Sequence, residues 1–425
     1  MERLMRRLNG SLSRSVRRSI QDVFQQSPLD LRFALQKTLD PRISFTRASS
    51  GTYIGSDGLI QTATTNAPRF DHNPTTGESL GLLVEEARTN LLLQSEDLAT
   101  TWTPGTGTVI TTNTWTAPDG TLTGNQFTVG TSSTAPSQNV TVAASSSYTL
   151  SFYLNTLLTT SAFLRLRFST LAGSTSAFFN ISTLAFGTLN GITNPTVQLV
   201  GTNIYRLSVT HTYDAVSAGS RSVAISSVTT DNGGTADTGK IVAIWGMQYE
   251  LGAFPTSYIP TTTATVTRAA DVASITGSNF SSWYNQTEGT VFGQFLRTAS
   301  TNSQQGRVFS FNNGTNTNAF EIYQTGASNP SAQITATTAQ ALWTPSGFTV
   351  GTSIKEVLGY QLNNSNASFN GSAETLDTAC NIPTVTQARI GDRQDGVRNL
   401  NGTIRRLTYW PTRLADTTLQ QITQP

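Results

Sequence analysis

The chain has 425 residues, of which 12% are charged, a net charge of +2 and one cysteine, Cys380. Such a length can bury two or three cores without cross-links, while a single thiol excludes both an internal disulfide framework and a zinc site built from several thiolates. Charge is unevenly spread: residues 1–47 carry ten basic against four acidic side chains, which marks the N-terminal arm as the part that meets something acidic.

In chain order, Leu4, Leu8, Leu12, Val16, Ile20 and Phe24 recur at every fourth position, with Arg7, Arg14 and Arg18 on other faces. That spacing predicts an amphipathic helix. A period of four drifts against the 3.6-residue turn, so the stripe suits a short docking segment better than a long coiled coil. A helix packed on its own domain and an anchor docked on a neighbouring subunit or larger assembly both satisfy it. Nearly no aromatics accompany the basic residues, which argues against nucleic-acid or membrane partners. No apolar run reaches transmembrane length, and arginines and serines interrupt the N-terminus too often for a secretory signal.

The segment ISFTRASSGTYIGSDGLIQTA predicts two strands around a Gly-Ser-Asp-Gly turn. From about Ser95 to Glu250, short alternating runs follow one another between turns: Tyr148, Leu150, Phe152 and Leu154; Leu164, Leu166 and Phe168; Tyr205, Leu207 and Val209. Seven or more such strands without intervening helices predict a two-sheet antiparallel sandwich. The last of them, Ile241 to Glu250, puts Ala243, Trp245, Met247 and Tyr249 on one face and Val242, Ile244, Gln248 and Glu250 on the other by strict alternation. Gly252, Pro255, Pro260 and the threonine-rich run to Thr267 then predict an extended connector, and a second β-rich block opens near Arg268.

Catalytic signals are sparse. His72 and His211 stand apart from each other and from Cys380, so neither belongs to a metal-ligand spacing. Glu85 and Glu86 are adjacent and on a strand would face opposite ways, so they cannot flank one glycosidic bond. No Gly-x-Ser-x-Gly elbow occurs, and the expectation is a protein that is not an enzyme. Trp102 and Trp115, in loop-like sequence, are the candidate sugar platforms, with plugging of a sandwich end as the competing role. Asp392 and Asp395, with Asn399, are the candidate ligands of calcium, the one cofactor for which the sequence offers ligands; the competing role is an Asp-Gly turn. Glu85 and Arg88 in EEARTNLL, and Arg268 and Asp271 in TRAAD, are candidates for an ion-paired seam between modules.

Ser44 to Leu92, SFTRASSGTYIGSDGLIQTATTNAPRFDHNPTTGESLGLLVEEARTNLL, resembles a module shared by structural proteins of tailed bacteriophages. In that family it commonly precedes a jelly roll similar to carbohydrate-binding modules, and SYTLSFYL, NIYRLSVTHT and VAIWGMQYELGAFPTSYIPT resemble such a jelly roll. TRAADVASITGSNFSSWYNQTEGTVFGQFLRTAS and ARIGDRQDGVRNLNGTIRRLTYWPTRLADTTLQQIT resemble the first and last parts of a concanavalin A-like or laminin G-like sandwich, which would pair Val291 and Phe295 with Ile404, Leu407 and Tyr409. The resemblance implies a mainly β chain in four parts: a helical anchor at 1–40, a small β-module at 41–94, a jelly roll at 95–260 and a concanavalin A-like sandwich at 261–425. It implies a virion protein of tail-fibre or appendage type. Its partners would be other virion proteins through the helix, itself as a homotrimer, and host-surface glycans. A capsid or tail decoration protein, and more remotely a polysaccharide depolymerase, are the alternatives.

Overall fold

A computed structural model describes residues 20–134, 136–297, 305–326, 329–349 and 351–425. It is mostly strand, in several antiparallel sheets. The alternating runs form strands because β-branched and aromatic residues on one face find a facing sheet to bury against. Leu150, Phe152, Leu164, Leu166, Leu207 and Val209 are all fully buried in one core. That core lies between a five-stranded sheet, in the order Ser137–Val142, Gly219–Val228, Phe163–Thr170, Gly173–Asn180 and Ala185–Asn190, and a six-stranded one. The second runs Ile192–Gly201, Ile204–Thr212, Ser147–Asn155, Ile241–Leu251, Gly124–Thr128 and Val109–Trp115. This is the expected jelly roll.

The other sandwich is not built from the C-terminal block alone. One sheet places Asn366–Phe369, Ser353–Gln361, Glu288–Arg297 and Gly402–Trp410 side by side, then continues into Ser79–Val84 and Phe70–His72, with Leu29–Leu31 also paired to Gly402–Trp410. The facing sheet begins with Ser44–Thr46 beside Val272–Thr276 and runs on through Gln387–Ile390, Gly306–Asn312, Asn318–Gln324, Pro330–Ala336 and Thr338–Trp343. Leu29, Leu31, Phe70, Leu82 and Val84 share one apolar core with Val291, Phe295, Ile404, Leu407 and Tyr409. The sheet pairing therefore differs from four modules in series. The segments on both sides of the jelly roll fold together, and the jelly roll is an insert in a host sandwich. The host strands nevertheless meet as the resemblance implied, Val291 opposite Tyr409 and Phe295 opposite Ile404.

The chain leaves for the insert along Arg88–Asn90 and returns along Val266–Arg268, and these two short strands pair antiparallel, Arg88 opposite Arg268. Gly81 lets the host sheet close: a side chain there would run into the Ile404 carbonyl, and its φ of 100° suits glycine.

Residues 1–19 lie outside the described residues, and with them Leu4, Leu8, Leu12, Val16, Arg7, Arg14 and Arg18. Residues 20–25 are helical. Phe24 packs on Phe292 and Trp410 with ring centroids 5.3 Å apart, and Ile20 joins the same cluster beside Leu419 and Ile422 of the C-terminal helix Asp416–Thr423. This end of the stripe covers the outer face of its own host sandwich.

Strict alternation fails at one place in the strand Ile241–Leu251. Gly246 has φ 66° and sits at a register shift opposite Ser151 and Tyr153, so the pleat changes sides there. Val242, Ile244, Met247 and Tyr249 face the jelly-roll core. Ala243 and Trp245 face outward, into a cluster with Ile60, Trp115, Tyr153 and Tyr258 between insert and host. Trp245 is buried as expected of a core residue, but in the joint and not in the sandwich; its indole N–H donates to Thr123 Oγ1 at 2.9 Å.

The insertion makes opposite predictions for two fragments. Residues 91–262 expressed alone should fold cooperatively, because both sheets of the jelly roll lie within them. Residues 266–425 alone should not, because Leu29–Leu31, Ser44–Thr46, Phe70–His72 and Ser79–Val84 are missing from their sheets. Denaturant melts and one-dimensional NMR of the two fragments check this.

Candidate functional site

Residues flagged from sequence scatter. Trp102 is buried in the jelly-roll core, with its indole N–H donating to the Gln94 carbonyl at 3.3 Å. Trp115 is buried over Gly124, with its N–H on the Asn125 carbonyl at 3.1 Å. Neither ring is open to a ligand, so neither serves as a sugar platform; both are packed inside, in keeping with the competing plugging role. Loop-like sequence carried them inward because a sealed indole with a satisfied N–H gains far more than an exposed one. Asp392 is fully buried and ion-paired with Arg389, and Asp395 is held by Arg393 and Asn316. Burial pushes the Asp392 carboxyl up to about 6 against the pull of Arg389. Their oxygens are engaged by cations and an amide, and among the described residues no group of three or more His, Cys, Asp or Glu is placed to hold a metal. His72 Nδ1 lies 2.9 Å from the Ile54 carbonyl, and His211 is wedged against Phe168 and Tyr213.

The seam residues, by contrast, come together. Asp271, with no exposed surface, pairs with Arg47 at 3.1 Å and with Arg69, and it accepts the Glu85 backbone N–H at 2.9 Å. Glu85 pairs with Arg69 at 2.7 Å and lies 3.6 Å from Arg268, and it accepts the Ser257 N–H at 2.7 Å and hydroxyl at 2.6 Å. Burial alone would raise the Glu85 carboxyl, but Arg268 and Arg69 override it and hold it down at about 2. Arg88 pairs with Glu86 instead, and its guanidinium lies 4.7 Å over the Phe254 ring.

On the outer face of the jelly-roll strand that carries Trp245, Gln248 and Glu250 are buried and hold the strap 252–260 across the sheet. Gln248 accepts the Ile259 N–H at 2.6 Å, and Glu250 accepts the Thr256 N–H at 3.0 Å and hydroxyl at 2.8 Å. Asn90 adds a clamp, donating to the Met247 and Ile259 carbonyls and accepting the Tyr249 N–H.

The strap, the hairpin of Gly51–Ile54 and Ile60–Ala63, and the jelly roll enclose a cleft of about 540 Å³. Thr52, Tyr53 and Ile54 of the strand Gly51–Ile54 line one wall with Asp71; Tyr153, Asn194, Gln198 and Arg206 line the opposite wall; Phe254 to Tyr258 form the third side. Arg206 donates to the Thr256 carbonyl at 2.7 Å and to Ser151 Oγ at 3.1 Å, and sits 5.5 Å from the Tyr153 ring. Asp71 accepts the Ile54 N–H at 2.6 Å; burial raises its carboxyl to about 6, assisted by Glu85 and opposed by Arg69. A concavity of this size, walled by tyrosines and rimmed with amide, hydroxyl, guanidinium and carboxyl groups, matches what holds a small polar ring by stacking and hydrogen bonds. The sequence pointed to the seam through EEARTN and TRAAD. It gave no sign of Tyr53, Asp71 or Arg206, whose shared wall depends on contacts between distant segments.

The architecture is that of two antiparallel β-sandwiches, a jelly roll and a concanavalin A-like fold. No protein-family model and no curated protein matches the chain. Among solved structures it is similar to the Ruminococcus gnavus IT-sialidase CBM40, at 17% identity over 34% of this chain and 87% of that one, with a TM-score of 0.28. It is also similar to Trypanosoma rangeli sialidase in complex with sialic acid, at 11% identity over 68% of this chain and 53% of that one, with a TM-score of 0.29. A third similarity is to mouse laminin α1 chain domains LG4-5, at 8% identity over 67% and 86% of the two chains, with a TM-score of 0.21. Likeness at this level transfers no ligand and no activity.

Removing one partner of a buried pair strands the other, so Glu85→Gln should cost about 3–5 kcal/mol at neutral pH. The folded Glu85 carboxyl lies at about 2 against an ordinary 4.5, so its contribution is complete above the ordinary value and is lost as pH falls through the folded one. Urea melts of both proteins, compared from about pH 7 down to about pH 2, should therefore draw together on the acid side.

Proposed function

We propose that this chain is a non-enzymatic structural protein of a tailed-bacteriophage virion, a tail-fibre or appendage component that attaches to host-surface glycans through the cleft between its sandwiches. The cleft carries the reading: half-buried Tyr53, with Asp71, Asn194, Gln198 and Arg206 around it, is a wall suited to sugar hydroxyls and ring faces. The resemblance of Ser44 to Leu92 to the phage module supports the virion setting. Support for a binder over a depolymerase comes from the carboxyl groups of the cleft. Glu85 is taken up by Arg69 and Ser257, which leaves Asp71 without a second free carboxylate to share glycosidic chemistry. The N-terminal helix would join other virion proteins, and the protein would work as a homotrimer.

Purified protein should adsorb to host cells, and Tyr53→Ala should weaken adsorption roughly tenfold or more, as loss of a stacking ring does, with its melting temperature close to wild type. Trp102→Ala and Trp115→Ala should instead lower stability by about 3–5 kcal/mol. Host polysaccharide incubated with the protein should keep its size profile; shortening would establish a depolymerase. Immunogold labelling of intact particles should decorate tail appendages, and label confined to the capsid with no cell adsorption would favour a decoration protein.

A further inference from the structure

The cations around the joint divide into two kinds. Arg47, Arg69, Arg88 and Arg268 each have a carboxylate within 4.0 Å. Arg206 has none among the described residues: it donates to the neutral Thr256 carbonyl and Ser151 hydroxyl, both through Nη2, and its Nε is buried without a partner. Arg206 is half-buried and lines the cleft. Two neutral acceptors fix the guanidinium in place and leave its charge uncompensated. Partial burial of a cation without a counter-ion is costly, and a guanidinium is the side chain best suited to gripping a planar carboxylate.

Resting on the glycan reading above, we propose that the cleft recognises a sugar residue bearing a carboxylate, with Arg206 as its anion contact and Tyr53 and Tyr153 as walls for the ring. Tyr53 is the accessible ring; Tyr153, on the opposite wall, is nearly sealed by Trp245 and Tyr258 and offers only its edge to the cleft. The seam beneath adds no opposing field, since Arg47, Arg69 and Arg268 balance Glu85, Asp271 and Glu250, the last acting on Arg268 through space. That leaves Asp71 as the lining group that repels an anion. Its surroundings are His72 on its own strand, Glu85 and Arg69 from the seam, and Tyr153 and Arg206 from the insert. Proton uptake by Asp71 near pH 6 removes that repulsion, so an acidic sugar gains affinity as pH falls while it is still ionised itself. A neutral sugar that used the Asp71 carboxylate as a hydroxyl acceptor would lose affinity over the same range.

The test is an array that pairs galacturonate, glucuronate and mannuronate trimers with their neutral galactose, glucose and mannose parents, followed by calorimetry on the best pair using the full chain. At least one acidic trimer should bind roughly tenfold or more tightly than its parent, as a charge-assisted hydrogen bond provides. Affinity should rise from pH 7 to pH 5. Arg206→Gln should remove the preference, Arg206→Lys should restore part of it, and Asp71→Asn should bind well and flatten the pH profile; thermal melts show that each variant is folded. Equal binding of acid and parent, or an acid preference that survives Arg206→Gln, overturns the proposal while the glycan reading stands. Binding to no member of the array overturns both.

Discussion

The joint between host and insert hangs on a carboxylate with no exposed surface. Asp271 sits where the chain re-enters the host sandwich, and it is reached by Arg47, 224 positions earlier, and by Arg69, 202 positions earlier. Burying these charges is expensive, and their mutual attraction offsets the cost only when every partner is in place. The network is therefore cooperative: Ser44–Thr46 must lie on Val272–Thr276, and Glu85 must reach Arg69, before the guanidiniums have all their carboxylates. A set of groups with such strict geometry fixes where the insert is rooted, which apolar contact, being non-directional, would leave loose.

The cleft inherits its shape from that root. Ser257 spans the two parts, touching Glu85 with both its N–H and its hydroxyl while belonging to the strap that Gln248 and Glu250 hold against the jelly roll. The same few residues of strap thus seal the charged seam below and form a wall of the cleft above. Tyr258 extends the arrangement, since its ring packs on Trp245 at 4.6 Å and its hydroxyl meets Ser95 and Glu96. Burial and the neighbouring Glu96 keep that hydroxyl protonated well past the ordinary tyrosine range, so it acts as a fixed donor.

Local pattern made much of this legible. Alternation at Leu150 and Phe152, or at Leu164 and Leu166, identified strands whose inward faces are indeed buried, because period-two burial leaves its trace in neighbouring residues. The pairing of Val291 with Tyr409 was likewise anticipated, through resemblance. The failures have two physical origins. Gly246 inserts a bulge that reverses the pleat, and one glycine in a strand does not announce which way it will turn the chain. Leu82 opposite Ile404 is a contact across more than three hundred residues, so the insertion has no local signature and Ser44 to Leu92 reads as a separate module. Part of the seam was visible, since Glu85, Arg268 and Asp271 stand out in a chain with few charged residues; Arg47 and Arg69, which meet them from distant segments, were not. Arg206 was not, because an arginine alternating with Tyr205 and Leu207 on a strand looks like any solvated outward residue.

The antiparallel pairing of Arg88–Asn90 with Val266–Arg268 has a further consequence. Both ends of the jelly roll leave the host through neighbouring strands, a short distance apart, as in domains that tolerate transplantation. Such a sandwich behaves as a cassette. Lineages could exchange or diversify the jelly-roll wall of the cleft, with Asn194, Gln198 and Arg206, while the host retains Tyr53, Asp71 and the buried charges that any incoming cassette must meet with a residue placed like Ser257. Variation in what the protein grips would then be written on one wall, and the demand for a matching socket on the other would set which cassettes are accepted.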